Sequence, residues 1–169
     1  MGASISLPDD EAQHLKQLTK FKKDEIQRSY KNFMHNNPDG YLTPLKFRAV
    51  YGQVFQDTPH LSDHIFKKLD INQDGQVSFK ELMLNFSIIM KGTNIEKLHW
   101  AFDVYDLDAN GEITLSELKH ALTFLRENPP ATHINEETFH KEIESIFRVV
   151  DTDSDGVLSK EEFVDGMKR

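Results

Sequence analysis

Apolar side chains recur along this chain at helical spacing, in pairs of stretches separated by short acidic segments. Leu61, Ile65, Phe66 and Leu69 form one such stripe. Leu98, Ala101, Phe102 and Tyr105 repeat it at offsets of 0, 3, 4 and 7, and Ile143, Ile146, Phe147 and Val150 keep the same offsets. After the acidic segments come Leu82, Phe86 and Ile89, then Leu118, Ala121, Leu122 and Leu125, then Phe163 and Met167. The unit is helix, acidic loop, helix, and four units fit the chain.

The acidic segments share one phrase. It reads D-x-N-x-D-G at Asp70 to Gly75, D-x-D-x-N-G at Asp106 to Gly111 and D-x-D-x-D-G at Asp151 to Gly156, with an echo, H-x-N-x-D-G, at His35 to Gly40. The starts lie 35, 36 and 45 residues apart, the spacing of a repeated supersecondary unit. The longer last interval holds the polar stretch from Arg126 to Glu137, where Pro129 and Pro130 rule out an unbroken helix.

This spacing suits a hard divalent cation. Calcium takes six to eight oxygens, and a twelve-residue loop offers them from positions 1, 3, 5, 7, 9 and 12 with glycine at the turn. Loop 2 offers Asp70, Asn72, Asp74, the Gln76 carbonyl, Ser78 and Glu81. Loop 3 offers Asp106, Asp108, Asn110, the Glu112 carbonyl, Thr114 and Glu117, and loop 4 offers Asp151, Asp153, Asp155, the Val157 carbonyl, Ser159 and Glu162. One such phrase could be a solvated turn; three in tandem, each with glutamate at position 12, read as three Ca2+ sites. The chemistry leaves room for Mg2+ in the calcium-free state. Val77, Ile113 and Leu158 at position 8 would join paired loops by a short strand contact. Loop 1 should stay empty: His35 replaces the first carboxylate, Lys46 stands at position 12, and Pro38 stiffens the turn.

Composition narrows the remaining classes. Acidic residues outnumber basic ones 28 to 20, a net charge of −8, so no nucleic-acid partner is expected. With no cysteine, disulfides, thiolate zinc sites and thiol nucleophiles are excluded. The eight histidines show no metal-ligand spacing and are expected at the surface or at helix ends. No nucleophile–base pair or phosphate-cradling glycine loop appears, and no enzyme is expected. A cytoplasmic protein is expected, since the chain has neither a membrane-length apolar run nor a secretory leader.

The chain opens Met-Gly-Ala-Ser-Ile-Ser, which fits N-myristoylation of Gly2 with Ser6 at the required place. One acyl chain gives only marginal membrane binding, so a second signal is needed. The basic cluster Lys16, Lys20, Lys22, Lys23, Arg28 and Lys31 could supply it; the plainer reading is a solvated helix face.

Four such units, a disabled first loop and an N-terminal glycine resemble the neuronal calcium sensor family of EF-hand proteins (the recoverin, frequenin and visinin-like group). The resemblance covers nearly the whole chain and is most specific at Glu25-Ile26-Gln27 with Tyr30, Pro38-Asp39-Gly40, Phe47 to Gly52, Trp100-Ala101-Phe102, Tyr105 to Asp108, and Ile146-Phe147. It implies an all-α fold of four EF-hands in two paired lobes, here 1–92 and 93–169. It also implies a calcium-dependent apolar groove, mainly on the first lobe, that receives an amphipathic helix of a membrane-associated target. Candidate groove residues are Ile26, Tyr30, Phe33, Phe47, Val50, Tyr51, Phe66, Leu82, Phe86 and Ile89, while Trp100 reads as core. Family members differ in whether the acyl chain hides in the groove or stays exposed, so membrane association could be reversible or constitutive. The chain departs from the pattern in having Asn37 for the usual cysteine and Ser29 for a frequent tryptophan. It ends seven residues after Glu162, so no C-terminal segment is expected to cover the groove. A calcium buffer that barely opens, or a permanently bound subunit like the small chain of calcineurin, are the alternatives.

Overall fold

The computed structural model describes residues 5–51, 59–127 and 135–168. Gly2, Val54, the Pro129–Pro130 break and the side chains of Tyr51 and Leu125 lie outside the described residues. A first helix, α1 (Asp9–Leu18), precedes the repeats. Each repeat then follows as helix, strand, helix: α2 (Lys23–Asn36), β1 (Tyr41–Leu42) and α3 (Pro44–Tyr51); α4 (Pro59–Leu69), β2 (Val77–Ser78) and α5 (Phe79–Lys91). The second half repeats this as α6 (Asn94–Tyr105), β3 (Glu112–Thr114) and α7 (Leu115–Glu127), then α8 (Glu136–Val150), β4 (Val157–Ser159) and α9 (Lys160–Gly166). The polar stretch holding the two prolines separates α7 from α8.

The strands pair the loops two by two. β1 and β2 run antiparallel with Leu42 opposite Val77, and β3 and β4 do the same with Ile113 opposite Leu158. All four position-8 aliphatics are buried, so each short ladder is sealed by its own apolar pair. Helix starts are fixed by reciprocal caps. Ser78, Thr93 and Ser159 each accept from the backbone of a glutamate three residues on, and that glutamate accepts from the cap's own N–H.

Two apolar clusters form. The first gathers Ile26, Phe33, Phe47, Phe66, Phe79 and Met83, and α1 adds Ala12 and Leu15. The second gathers Phe102, Ile113, Leu118, Phe147, Leu158 and Phe163. Helix α6 feeds both: Val104 is buried in the first cluster and Phe102 in the second. Trp100 is half-buried against the first cluster, and its indole N–H donates to Asn85 Oδ1 at 3.1 Å. The histidine expectation fails at His64, which is buried on α4 with Nε2 3.2 Å from the Asp103 carbonyl. Burial lowers its pKa, against the opposing pull of that carbonyl. Gly92 ends α5 where a Cβ would come within 2.3 Å of the Ile88 carbonyl oxygen. No helix among the described residues is long and apolar enough to cross a membrane.

Candidate metal centres

Loops 2, 3 and 4 are built alike. The first aspartate of each accepts from the backbone N–H of the turn glycine: Asp70 from Gly75 at 2.8 Å, Asp106 from Gly111 at 2.9 Å and Asp151 from Gly156 at 3.1 Å. The fifth position holds each loop in a further turn, with Asp74 accepting from Gln76, Asn110 from Glu112 and Asp155 from Val157. Position 12 closes each loop. One oxygen of Glu81, Glu117 and Glu162 accepts from the backbone N–H and hydroxyl of Ser78, Thr114 and Ser159 respectively, at 2.7–3.0 Å. The second oxygen reaches across to Asn72, Leu107 and Thr152. Glu81 thus reaches one position further along its loop than the other two glutamates do.

Position 4 explains why loop 1 differs. Gln73, Ala109 and Ser154 all occupy it with φ of 59–62°, a left-handed conformation that side chains rarely take. Loop 1 has Pro38 there, whose ring fixes φ near −65° and forbids this backbone. The chain instead carries its own cation: Lys46 Nζ at position 12 sits 3.0 Å from Asp39 Oδ2 at position 5. Asn37 turns inward, donating to the Phe33 carbonyl at 3.1 Å. Yet β1 survives, so this loop keeps its structural role.

The donor sets fit a hard cation. Asp106, Asp108 and Glu117 bring carboxylate oxygens within 4.8 Å of one another, and so do Asp151, Asp153 and Asp155. Asp151 Oδ1 is buried with no hydrogen-bond partner, an oxygen facing a loss of hydration that a cation would offset. Calcium would be held in each loop by the carboxylates, position-7 carbonyls and hydroxyls named above. It would supply the charge that lets them converge. In loop 4 the Thr152 hydroxyl, with the Ser159 backbone and hydroxyl, holds the Glu162 pKa down to about 2. A depressed carboxylate contributes stability above its unfolded pKa and loses it as pH falls through the folded value. The calcium-free wild type should therefore lose stability more steeply than Glu162→Gln between about pH 4.5 and 2. Parallel acid denaturation curves for the two proteins would contradict it.

Most of the candidate groove residues belong to the first apolar cluster. Ile26, Phe33, Phe47 and Phe66 are buried, and Tyr30, Leu82 and Phe86 pack half-buried against them. Ile89 is half-buried, whereas Val50 is 64% exposed on α3. The stripe reading missed Phe79 and Met83, both buried more deeply than Leu82 or Phe86. Phe79 stacks edge-on against Tyr30 at 5.0 Å and packs on Phe33 at 5.5 Å. Asn85 was also missed, because a polar residue carries no weight in an apolar periodicity. Its buried amide donates to the Glu81 carbonyl at 3.0 Å and the Leu69 carbonyl at 3.4 Å, tying α5 to the end of α4.

The EF-hand domain pair family matches residues 95–168, and an EF hand family matches residues 61–87. Recoverin from Homo sapiens is 31% identical over 175 residues, a match spanning 98% of this chain and 88% of recoverin. Both halves of the chain, the strand-paired loops and the oxygen donor sets point the same way: the chain belongs to the recoverin-like neuronal calcium sensor family of EF-hand proteins.

Proposed function

We propose that this calcium sensor is N-myristoylated at Gly2, binds calcium at loops 2, 3 and 4, and regulates a membrane-associated target through an apolar groove on its first lobe. The observation that carries this reading is the buried aromatic cluster of that lobe, clasped by two residues of the helix that leaves loop 2. Asn85 sits one turn after Glu81, and Lys91 near the end of α5 binds Glu25 of α2 at 2.7 Å. When Glu81 turns to an ion it must move α5, and with it both clasps. The target would be an amphipathic helix, laid in the opened groove by its apolar face.

Membrane contact rests on the acyl chain with help from the basic cluster. Three of those six cations are spoken for: Lys20 pairs with Glu96, Lys23 with Asp9 and Arg28 with Asp24. Lys16, Lys22 and Lys31 have no ion pair among the described residues and would face anionic lipid. The test is co-sedimentation of the acylated protein with liposomes, with calcium or chelator, beside Gly2→Ala. Gly2-dependent binding is expected. If it needs calcium, the acyl chain is released by the switch; if it does not, the protein resides on the membrane and calcium controls only the groove. Binding that ignores Gly2, or none at all, removes the membrane half of this reading.

A further inference from the structure

A cleft of about 800 Å³ is lined by α3, α4, loop 2 and the start of loop 3. Its volume falls within the range of about 300–1,000 Å³ typical of small-molecule sites. Phe66 and Leu107 give it an apolar floor, and Arg48, Lys67 and Lys68 bring three cations to its wall. Arg48 is occupied, forked onto Asp63 at 2.5–2.8 Å. Lys67 is exposed and Lys68 half-buried, and neither has a carboxylate partner among the described residues. Asp70 of loop 2 and Asp108 of loop 3 line the same cleft.

We propose that this cleft is a calcium-gated site for a phosphate-rich anion, held by Lys67 and Lys68. The gating follows from charge. Loop 2 carries Asp70, Asp74 and Glu81, and loop 3 carries Asp106, Asp108 and Glu117. Without calcium, the two ammonium groups stand beside loops that carry six carboxylates, two of them, Asp70 and Asp108, in the cleft lining itself, and an anion is repelled. One Ca2+ in each loop removes four of those six negative charges, leaving a residue that the two lysines balance. A bound ion is the largest local charge in such a site, so occupancy of both loops takes the local sum from about −4 to zero, engages Asp70 and Asp108 of the lining and leaves Lys67 and Lys68 as its free charges. The cleft takes up the anion only when both lobes are loaded. By linkage the anion then tightens calcium binding by the same factor.

The inference rests on calcium filling loops 2 and 3. The probe is a fluorescent inositol trisphosphate at nanomolar concentration in calcium-buffered solution, followed by anisotropy on the non-acylated full chain. Affinity with calcium is expected to exceed that with chelator at least tenfold. The Lys67→Gln/Lys68→Gln double variant should lose that gain while its calorimetric calcium stoichiometry is unchanged. Lys97→Gln/Lys141→Gln, two exposed lysines of α6 and α8 outside the cleft, should behave as wild type, which also guards against a general basic-surface effect. Vesicles carrying phosphorylated inositol lipids identify the source: binding that needs Lys67 and Lys68 assigns a headgroup, and binding of the free probe alone assigns a soluble ligand. Equal affinity with and without calcium, or a double variant that binds like wild type, overturns the proposal. Calcium that does not fill loops 2 and 3 overturns both readings; calcium binding without an anion response overturns this one alone.

Discussion

Saturating calcium is expected to raise the melting temperature by about 20 °C relative to chelator. A ligand that binds only the folded state stabilises it by about 2.7 kcal/mol at a hundredfold excess over its dissociation constant. Three sites then give about 8 kcal/mol, and for a chain of this size each kcal/mol moves the midpoint by about 2–4 °C. The crowding of acidic groups in the loops explains why the effect should be large. Loops 3 and 4 each crowd three carboxylates into a ring with oxygens within 4.8 Å, and Asp151 Oδ1 is buried with nothing to accept from. Three divalent ions also bring the formal charge from −8 to about −2, relieving repulsion across the whole molecule. Thermal scans at matched ionic strength, with calcium or chelator, measure it. Removing one site with Glu162→Gln should take away roughly a third of the shift, and an unchanged midpoint in the wild type would sink the three-site reading.

Much of this was legible because EF-hand loops are local. Twelve consecutive residues supply the donors, the turn glycine and the strand residue, so spacing alone located Asp70 to Glu81 and its two counterparts. The defect of loop 1 was equally visible in Lys46 and Pro38, although the Lys46–Asp39 ion pair and the backbone that Pro38 forbids needed coordinates. Contacts between distant segments were not legible. Nothing in the periodicity marked Ala12 and Leu15 of α1 as part of the first core, or showed that α6 would serve both cores. Polar residues that work by being buried were also missed. Asn85 and His64 each look like ordinary surface in one dimension, and the half-buried Gln27, whose amide clasps both backbone groups of Leu7, gave no sign of that contact.

Calcium should also expose apolar surface on the first lobe, and Glu81→Gln should abolish that response while leaving loops 3 and 4 able to bind. A hydrophobic dye whose emission rises on adding calcium reads the opening. Glutamine still satisfies the cap at the start of α5, so the variant should fold. What it loses is the bidentate charge that would draw α5 toward the ion. Opening must break the Asn85 bond to the Leu69 carbonyl, at 3.4 Å already the weaker of its two donations, and the Lys91–Glu25 pair. The apolar cost sets the scale. Turning a pair from 99% closed to 99% open takes about 5.5 kcal/mol of differential calcium affinity. A pair that is 99% closed is held shut by half of that, about 2.7 kcal/mol, which at about 25 cal/mol per Å² corresponds to roughly 110 Å² of newly exposed apolar surface. One buried aromatic accounts for about 150–250 Å². A calcium-driven shift of that size in loop 2 therefore uncovers less than one ring's worth of the cluster formed by Ile26, Phe33, Phe47, Phe66 and Phe79. A groove long enough for a helix needs its occupant to supply the rest, whether that occupant is a target or the acyl chain. Dye emission that rises equally in wild type and Glu81→Gln would place the opening elsewhere, and no rise in either would mark the protein as a buffer.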